Sequence, residues 1–217
     1  MIMAGYANRK FVAYPISEAS PQTGRLLINW VADVYIGTDQ PIPRDWNRQV
    51  DHATVLEHFE GWRFDWLDIP ALIRGSEGSE LVYEYPLVDR DPLPRWSFGP
   101  VTLLGDAAHP MYPIGSNGAS QAIQDAAALA AALTENSDPV HALQAYEAER
   151  LERTSKLVLS NRKQGPEIVM QVVEDRAPDG FRNLCDVISR QELEEVSNRY
   201  KAVAGFDRDQ LNSMRTS

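Results

Sequence analysis

One segment of this chain, residues 101–132, constrains the fold more than any other. It reads VTLLGDAAHPMYPIGSNGASQAIQDAAALAAA. Its apolar start, 101–104, predicts a short buried strand, because strands covered on both faces of a parallel sheet are continuously apolar. A loop rich in glycine and proline follows, and small residues at helical spacing predict a helix over about 118–133. Strand, loop and helix in this order predict an α/β unit.

An acidic residue stands where this strand meets the loop. Gly105 and Asp106 follow the apolar run directly. A carboxylate at the carboxyl end of such a strand can accept hydrogen bonds from ribose-type hydroxyls. The free N–H groups at the start of the next helix, near Gly118, favour an acceptor or a negative charge. The pattern therefore indicates a site for a polyhydroxylated, partly anionic cofactor.

The first third of the sequence predicts an antiparallel meander followed by helices. Strands are expected at 1–5, 10–16 and 25–36, where β-branched and aromatic residues are frequent. Apolar residues at helical spacing predict a helix over 52–62 and a second, short one over 67–73.

Alternating apolar residues then predict a half-exposed strand at 80–87. The prolines of 89–95 keep the chain extended, since each biases its predecessor away from helix, and we place a crossover between two domains here. Arg90, Asp91 and Arg95 could fix this crossover through ion pairs, with solvated surface charge as the alternative. Further helices are expected from Pro139 and over 189–204, where Ser189 and Glu192 form a capping-box pattern.

Composition and charge exclude several classes of function. The net charge of −10 argues against binding to nucleic acid or to an anionic membrane. Cys185 is the single cysteine, so no intrachain disulfide is expected, and no apolar stretch is long enough to span a bilayer. The four histidines form no ligand cluster, so no metal is predicted. A cytoplasmic protein is the expectation.

Residues 105–126, GDAAHPMYPIGSNGASQAIQDA, resemble the second flavin-binding motif of the class A flavoprotein monooxygenases. These are aromatic hydroxylases typified by para-hydroxybenzoate and salicylate hydroxylases. The segments VDRDPLPRW (88–96) and YEAER (146–150) look most like the phenazine-modifying branch of that family. The alternative is an ordinary strand, loop and helix with glycine at the bend.

The resemblance implies FAD as cofactor, NAD(P)H as co-substrate and O2-dependent hydroxylation of a small aromatic substrate. Asp106 would hold the ribityl hydroxyls, and Pro113 would lie beside the isoalloxazine ring. The loop after it would approach the pyrimidine edge of the flavin. The implied cofactor-binding residues are Gly105, Asp106, Pro113, Gly115, Asn117, Gly118 and Ala119. A capping aspartate and an ordinary glycine-rich turn are the alternatives.

The same resemblance guides the expectations for the other polar and aromatic residues. Tyr14, Tyr85 and Tyr112 are candidates for substrate contact, although aromatic residues at strand spacing are more often core or cross-strand pairs. His109 is expected to shape the loop through a structural hydrogen bond, and Arg150 to tie the long helix to the flavin domain. No catalytic acid or base is assigned, because the cofactor carries the difficult chemistry in such enzymes.

The chain lacks the G-x-G-x-x-G segment that holds the pyrophosphate in this family. It therefore resembles the C-terminal half of such an enzyme, either as a fragment or as a short product that needs an N-terminal half or a second copy. The expected fold is mixed α/β and α+β: an antiparallel substrate-domain sheet, a partial Rossmann-like FAD-binding domain and long C-terminal helices. The expected divisions are 1–95, 96–165 and 166–217. A non-catalytic scaffold and another FAD-dependent oxidoreductase are the alternative functions.

Overall fold

The structure, a computed structural model, separates into two compact units, Met1–Pro86 and Leu87–Ser217. It describes residues 1–37, 45–76, 78 and 82–205. The first unit consists of antiparallel strands with two short helices, and helices dominate the second. The mixed fold class predicted from the sequence is confirmed. The three-part division at residues 95 and 165 stays a prediction, and the end of its last part, 206–217, lies outside the described residues.

The first unit is built on a three-stranded antiparallel meander. Its strands are β1 (Ile2–Tyr6), β2 (Arg9–Pro15) and β3 (Ile28–Val34), in that order. The register places Phe11 of β2 between Ala4 and Ala32. The three predicted strands are therefore confirmed, with ends that differ by a few residues.

Two helices cover one face of this meander. They are α1 (His52–Phe59) and α2 (Ile69–Arg74), as the helical spacing predicted. The second begins at residue 69 because Leu67–Asp68 (β6) pairs with Arg63–Phe64 (β5), and the carboxylate of Asp68 accepts from the amide of Ala71. The buried core between sheet and helices contains Phe11, Ala13, Phe59, Leu67, Ile69 and Ile73.

The strand predicted over 80–87 is shorter in the structure. Only Val82–Tyr83 (β7) forms a ladder, antiparallel to Gln49–Val50 (β4). Residues 80 and 81 lie outside the described residues, and 84–87 are not in a strand. Pro86 explains part of this difference, since it has no N–H to donate to a neighbouring strand.

The second unit is organised around an antiparallel helix pair, α3 (Gly118–Glu135) and α4 (Pro139–Asn161). Small residues along α3 let the two helices approach closely, and their contact encloses a core of Trp96, Ala108, Ala128, Ala132, Ala142 and Tyr146. After α5 (Ile168–Arg176), helix α6 (Arg190–Ala204) packs on α4. Within the described ranges, no helix combines the length and apolarity needed to cross a bilayer.

The buried strand predicted over 101–104 is wrong. Val101 is 60% exposed and forms only an isolated antiparallel bridge with Phe98. The amide of Leu103 donates to the carbonyl of Trp96 at 3.2 Å, so the chain folds back in a tight reversal. A parallel strand needs neighbouring strands on which to form its ladder, and the described part of this unit contains none.

Candidate cofactor site

Asp106 lies at the mouth of an open cleft in the second unit. The residues Gly105–Ala107 form one turn of 3-10 helix after the extended segment, and Gly105 adopts a φ of 58° that suits glycine. The exposed carboxylate of Asp106 forms no hydrogen bond or ion pair with any described residue. The cleft has a volume of about 400 Å³ and is lined by Val88, Asp89, Arg90, Asp106, Ala107 and Pro110.

The peptide directly before Asp106 is held by a buried carboxylate on α3. One oxygen of Asp125 accepts from the amide of Gly105 at 3.0 Å and lies 2.6 Å from Nε2 of His109. The other oxygen accepts from Nε of Arg150 at 2.7 Å. Asp125, His109 and Arg150 are all buried. This network connects the loop to both long helices and thereby sets where the backbone presents Asp106.

The charge of Asp125 is maintained by these partners. Burial by itself raises the pKa of the Asp125 carboxyl, but hydrogen bonds from His109, Arg150 and the Gly105 amide outweigh this effect. The net result is a pKa below the ordinary value of an aspartate. Asp125 is therefore a fixed anion at neutral pH, with no proton to donate.

Arg150 neutralises the charge of Asp125, and its remaining N–H groups donate to other residues of α3. Its guanidinium donates to the carbonyl and the side-chain oxygen of Gln121 and to the side-chain oxygen of Gln124. The expectation that Arg150 ties the long helix to this region is confirmed.

The sequence analysis did not identify Asp125. A signal was present: Gln121, Asp125, Ala128 and Ala132 share one helical face, and all four are buried.

His109 has the structural role that the sequence analysis expected. Besides its bond to Asp125, its ring packs against Trp96 with 5.5 Å between ring centroids. Its Nδ1 is buried and has no hydrogen-bond partner among the residues that the structure describes. The small pocket beside it, lined in part by Ser155 and Val158, has no room for a water molecule. A substrate cannot reach this ring, so His109 is not placed as a general base.

The glycine-rich loop turns sharply between Pro113 and Asn117. Gly115 has a φ of 72°, and its amide donates to the carboxylate of Glu167 at 3.2 Å. A Cβ at Gly115 would lie 2.6 Å from Cζ of Tyr200. Packing against Tyr200 of α6 therefore by itself requires glycine at this position, and the contact of Gly115 with a flavin stays a prediction.

The amino end of α3 is open. The side chain of Asn117, the residue before the helix, makes no capping hydrogen bond; its Nδ2 donates to the hydroxyl of Tyr200 at 2.6 Å. A Cβ at Gly118 would meet nothing within 4 Å, and Ala119 is exposed. Among the described residues, no side chain caps the first N–H groups of α3, which are therefore left for another acceptor.

The three tyrosines predicted to contact substrate lie in different units. Tyr14 on β2 is 36% exposed, and Tyr85 is exposed and stacks on Tyr83 with ring centroids 6.1 Å apart. Tyr112 belongs to the second unit, is half-buried, and accepts a hydrogen bond on its carbonyl from Asn161. Their contact with a substrate stays a prediction.

The segment before the cleft is anchored by Arg162 at the end of α4. Its guanidinium donates to Asp89 at 2.5 Å and to Asp91 at 2.7 Å. Of the two alternatives left open for the charged residues of this segment, the ion pair holds for Asp91, whereas Arg95 stacks over the ring of Phe98 at 4.0 Å. Among the described residues, no three His, Cys, Asp or Glu side chains are grouped so that they could hold a metal ion.

Comparison with known proteins identifies the type of cofactor site. Residues 88–161 match a family model described as an FAD binding domain. The chain is 51% identical over 156 residues to the phenazine 1,6-dicarboxylic acid hydroxylase PhzS of Lysobacter antibioticus, covering 71% of this chain and 38% of that protein. It is 38% identical over 201 residues to a 3-amino-4-hydroxybenzoate 2-monooxygenase of Streptomyces platensis, covering 92% of this chain and 45% of that protein.

The fold has solved counterparts. A salicylate hydroxylase in a substrate complex superimposes with a TM-score of 0.63 at 24% identity, over 94% of this chain and 48% of that one. HpxO of Klebsiella pneumoniae, complexed with FAD and uric acid, gives a TM-score of 0.56 at 23% identity, over 95% of this chain and 44% of that one. The chain thus spans less than half the length of these relatives.

Proposed function

We propose that this chain, a member of the FAD-dependent aromatic monooxygenase family, binds the ribityl chain and ring of FAD in an enzyme that hydroxylates a small aromatic substrate with NAD(P)H and O2. The observation that carries this proposal is the carboxylate of Asp106, which lines an open cleft, bonds to no described residue and follows a backbone held by the buried Asp125 network. The carboxylate of Asp106 can accept hydrogen bonds from a ligand that carries several hydroxyl groups.

The described residues fit the flavin at two further points. The uncapped first turn of α3, at Gly118 and Ala119, offers N–H donors to the carbonyl groups of the pyrimidine edge. The absence of a side chain at Gly118 leaves room for a planar ring to approach. Gly105, Pro113, Gly115 and Asn117 form the frame of this site, since each shapes the loop that lies between Asp106 and α3.

The chemistry that this chain contributes is binding and electrostatic stabilisation. When bound, FAD supplies the electron transfer and oxygen chemistry of the reaction. The amino end of α3 would favour the negative charge of the reduced ring by up to about 2 kcal/mol. Asp106 would orient the ring through the ribityl hydroxyls, and no side chain of this chain is proposed to act as acid or base.

The substrate, partners and location are proposals of the same kind. Tyr14, Tyr85 and Tyr112 are proposed to contact an aromatic substrate, and the relatives named for phenazine and hydroxybenzoate substrates support this class. An N-terminal half or a second copy of the chain is the proposed partner. A cytoplasmic location is supported by the exposed, unpaired thiol of Cys185, since thiols stay reduced in that compartment.

The test is a titration of the purified chain with riboflavin and with FAD, followed by flavin fluorescence. Because the proposed contacts involve only the ring and the ribityl chain, we expect riboflavin and FAD to bind with similar, weak affinity. Asp106→Asn should weaken both by about tenfold or more, the effect of losing a charged acceptor. Asp179→Asn, at an exposed position of the same unit, is the matched control and should change neither.

Three results would contradict the proposal. Equal flavin affinity in the wild-type chain and in Asp106→Asn would remove Asp106 from the site. A folded chain that binds no flavin, alone or with an added N-terminal half of a relative, would favour the scaffold alternative. A complex that binds FAD and oxidises NAD(P)H but hydroxylates no aromatic compound would favour a different FAD-dependent oxidoreductase.

A further inference from the structure

We propose that Tyr200 of α6 is a positioning residue for the flavin ring: it holds the glycine-rich loop in the shape that keeps the amino end of α3 open to the cofactor. This inference rests on the proposed function, but the contact between Tyr200 and the loop does not. The residue lies far from the flavin motif in sequence, and that motif alone gives it no role.

The hydroxyl of Tyr200 is the centre of a buried hydrogen-bond cluster. It accepts from Nδ2 of Asn117 at 2.6 Å and donates to Oδ1 of Asn161 at 3.0 Å, with the carbonyl of Ile114 at 3.3 Å as a second acceptor. Both asparagines are buried, and Tyr200 is 9% exposed. One hydroxyl therefore links α6 to the end of α4 and to two positions of the loop.

The ring of Tyr200 fits between two glycines. A Cβ at Gly115 would lie 2.6 Å from Cζ, and a Cβ at Gly165 would lie 2.8 Å from Cε2. Both glycines have positive φ, 72° and 47°. The loop and the segment after α4 therefore pack so closely against this ring that any residue with a Cβ at either position would clash with it.

Two further bonds from the same C-terminal part of the chain support the loop. The carboxylate of Glu167 accepts from the amide of Gly115 at 3.2 Å, and Nδ2 of Asn161 donates to the carbonyl of Tyr112 at 3.2 Å. With the bonds of Tyr200, the residues after α3 hold the loop at Tyr112, Ile114, Gly115 and Asn117. The loop conformation is thus imposed from outside the loop.

The bond to Asn117 has a direct consequence for the cofactor site. Asparagine before a helix commonly caps it by accepting from the N–H groups of the first turn. Here Tyr200 holds that side chain elsewhere, and the backbone of Asn117, with φ of −102° and ψ of −13°, lacks the extended conformation of a capping residue. Tyr200 thereby leaves the first N–H groups of α3 available to a flavin.

The first experiment measures hydrogen exchange of the flavin-free chain. Tyr200→Phe keeps the ring and removes the hydroxyl, so the protein should fold while peptides covering 112–117 exchange about tenfold faster. Tyr146→Phe is the matched control: it removes another buried hydroxyl of the same unit, bonded to the carbonyl of Leu103, and should leave exchange over 112–117 unchanged. Unchanged exchange over 112–117 in Tyr200→Phe would overturn the inference, whether or not the chain binds flavin.

The second experiment adds riboflavin as the probe. Tyr200→Phe should weaken its binding about tenfold and make the reduction potential of the bound flavin more negative, whereas the exposed variant Asp179→Asn should change neither. A potential that does not move, together with unchanged affinity, would contradict a role toward the ring even if the loop exchanges faster. A wild-type chain that binds no riboflavin contradicts the proposed function instead, and the exchange result alone then decides whether Tyr200 holds the loop.

Discussion

The carboxylate of Asp125 and the guanidinium of Arg150 form a buried ion pair, with 2.7 Å between Oδ1 and Nε. The pair joins α3 to α4. The second carboxylate oxygen of Asp125 accepts a hydrogen bond from the amide of Gly105, immediately before Asp106. A buried pair of this kind stabilises little relative to apolar packing, but removing one partner leaves an uncompensated charge. Because Asp125 bonds to both Arg150 and the amide of Gly105, the pair links the packing of α3 and α4 to the backbone of the loop.

Replacing Asp125 by Asn should destabilise the second unit strongly. Arg150 would stay buried without its counter-ion, and such a change costs about 3–5 kcal/mol. Thermal melting followed by far-UV circular dichroism, which reports on the helices of that unit, should show a midpoint lower by about 10 °C. Glu152→Gln, on the exposed side of α4, should leave the midpoint unchanged. Similar melting of the two variants would contradict the importance of the buried pair.

The same carboxylate should make stability dependent on pH in the acid range. The pKa of Asp125 is lowered in the folded protein, so its contribution is complete above its unfolded value, about 3.9, and is lost as pH falls through the folded pKa. His109, Arg150 and Tyr146 face it, and other acids such as Glu192 titrate in both proteins. The difference in unfolding free energy between wild type and Asp125→Asn should therefore shrink below about pH 4. A difference that stays constant from neutral pH into this range would refute the assignment.

Replacing Gly115 or Gly118 by alanine should affect the stability of the protein differently. Gly115→Ala places a Cβ against the ring of Tyr200 at a positive φ, so we expect a loss of more than about 1 kcal/mol. Gly118→Ala adds a methyl group in open space at the first residue of α3, where stability should be unchanged or slightly higher. Denaturant unfolding of the two variants provides the comparison. Equal destabilisation would mean that Tyr200 does not explain the glycine at 115.

The contribution of the capping box of α6 to stability should be measurable by changing Ser189 alone. Ser189 accepts from the amide of Glu192, whose carboxylate in turn accepts from the amide of Ser189. Ser189→Ala should cost about 1 kcal/mol, or about 2–4 °C in melting midpoint, because the amide of Glu192 loses its acceptor, the hydroxyl of Ser189. Ser189→Thr keeps the hydroxyl, which accepts from the amide of Glu192 and donates to its carboxylate, and should melt close to wild type. If the threonine variant lost as much as the alanine variant, the capping box would not be the cause.

Local signals predicted much of this fold correctly. The meander of β1 to β3, both helices of the first unit and the capping box at Ser189 depend on residues close together in the chain, and all are present. The strand expected over 101–104 is absent, since a run of apolar residues becomes a strand only beside a partner. Apolar composition alone carries no information about that partner.

The cofactor site divides in the same way. The sequence by itself predicted the kind of site: Asp106, the glycines and the start of α3 follow one another in a short stretch that favours a polyhydroxylated, partly anionic cofactor, and the resemblance of this stretch to a flavin-binding motif implies FAD. Only the tertiary structure showed that Asp125 and Arg150 hold the backbone before Asp106, and that Tyr200, distant in the chain, packs against Gly115 and holds Asn117. These contacts depend on how α3, α4 and α6 pack together. Periodicity along the chain predicts which face of a helix is buried, but it does not predict which residues of other helices that face contacts.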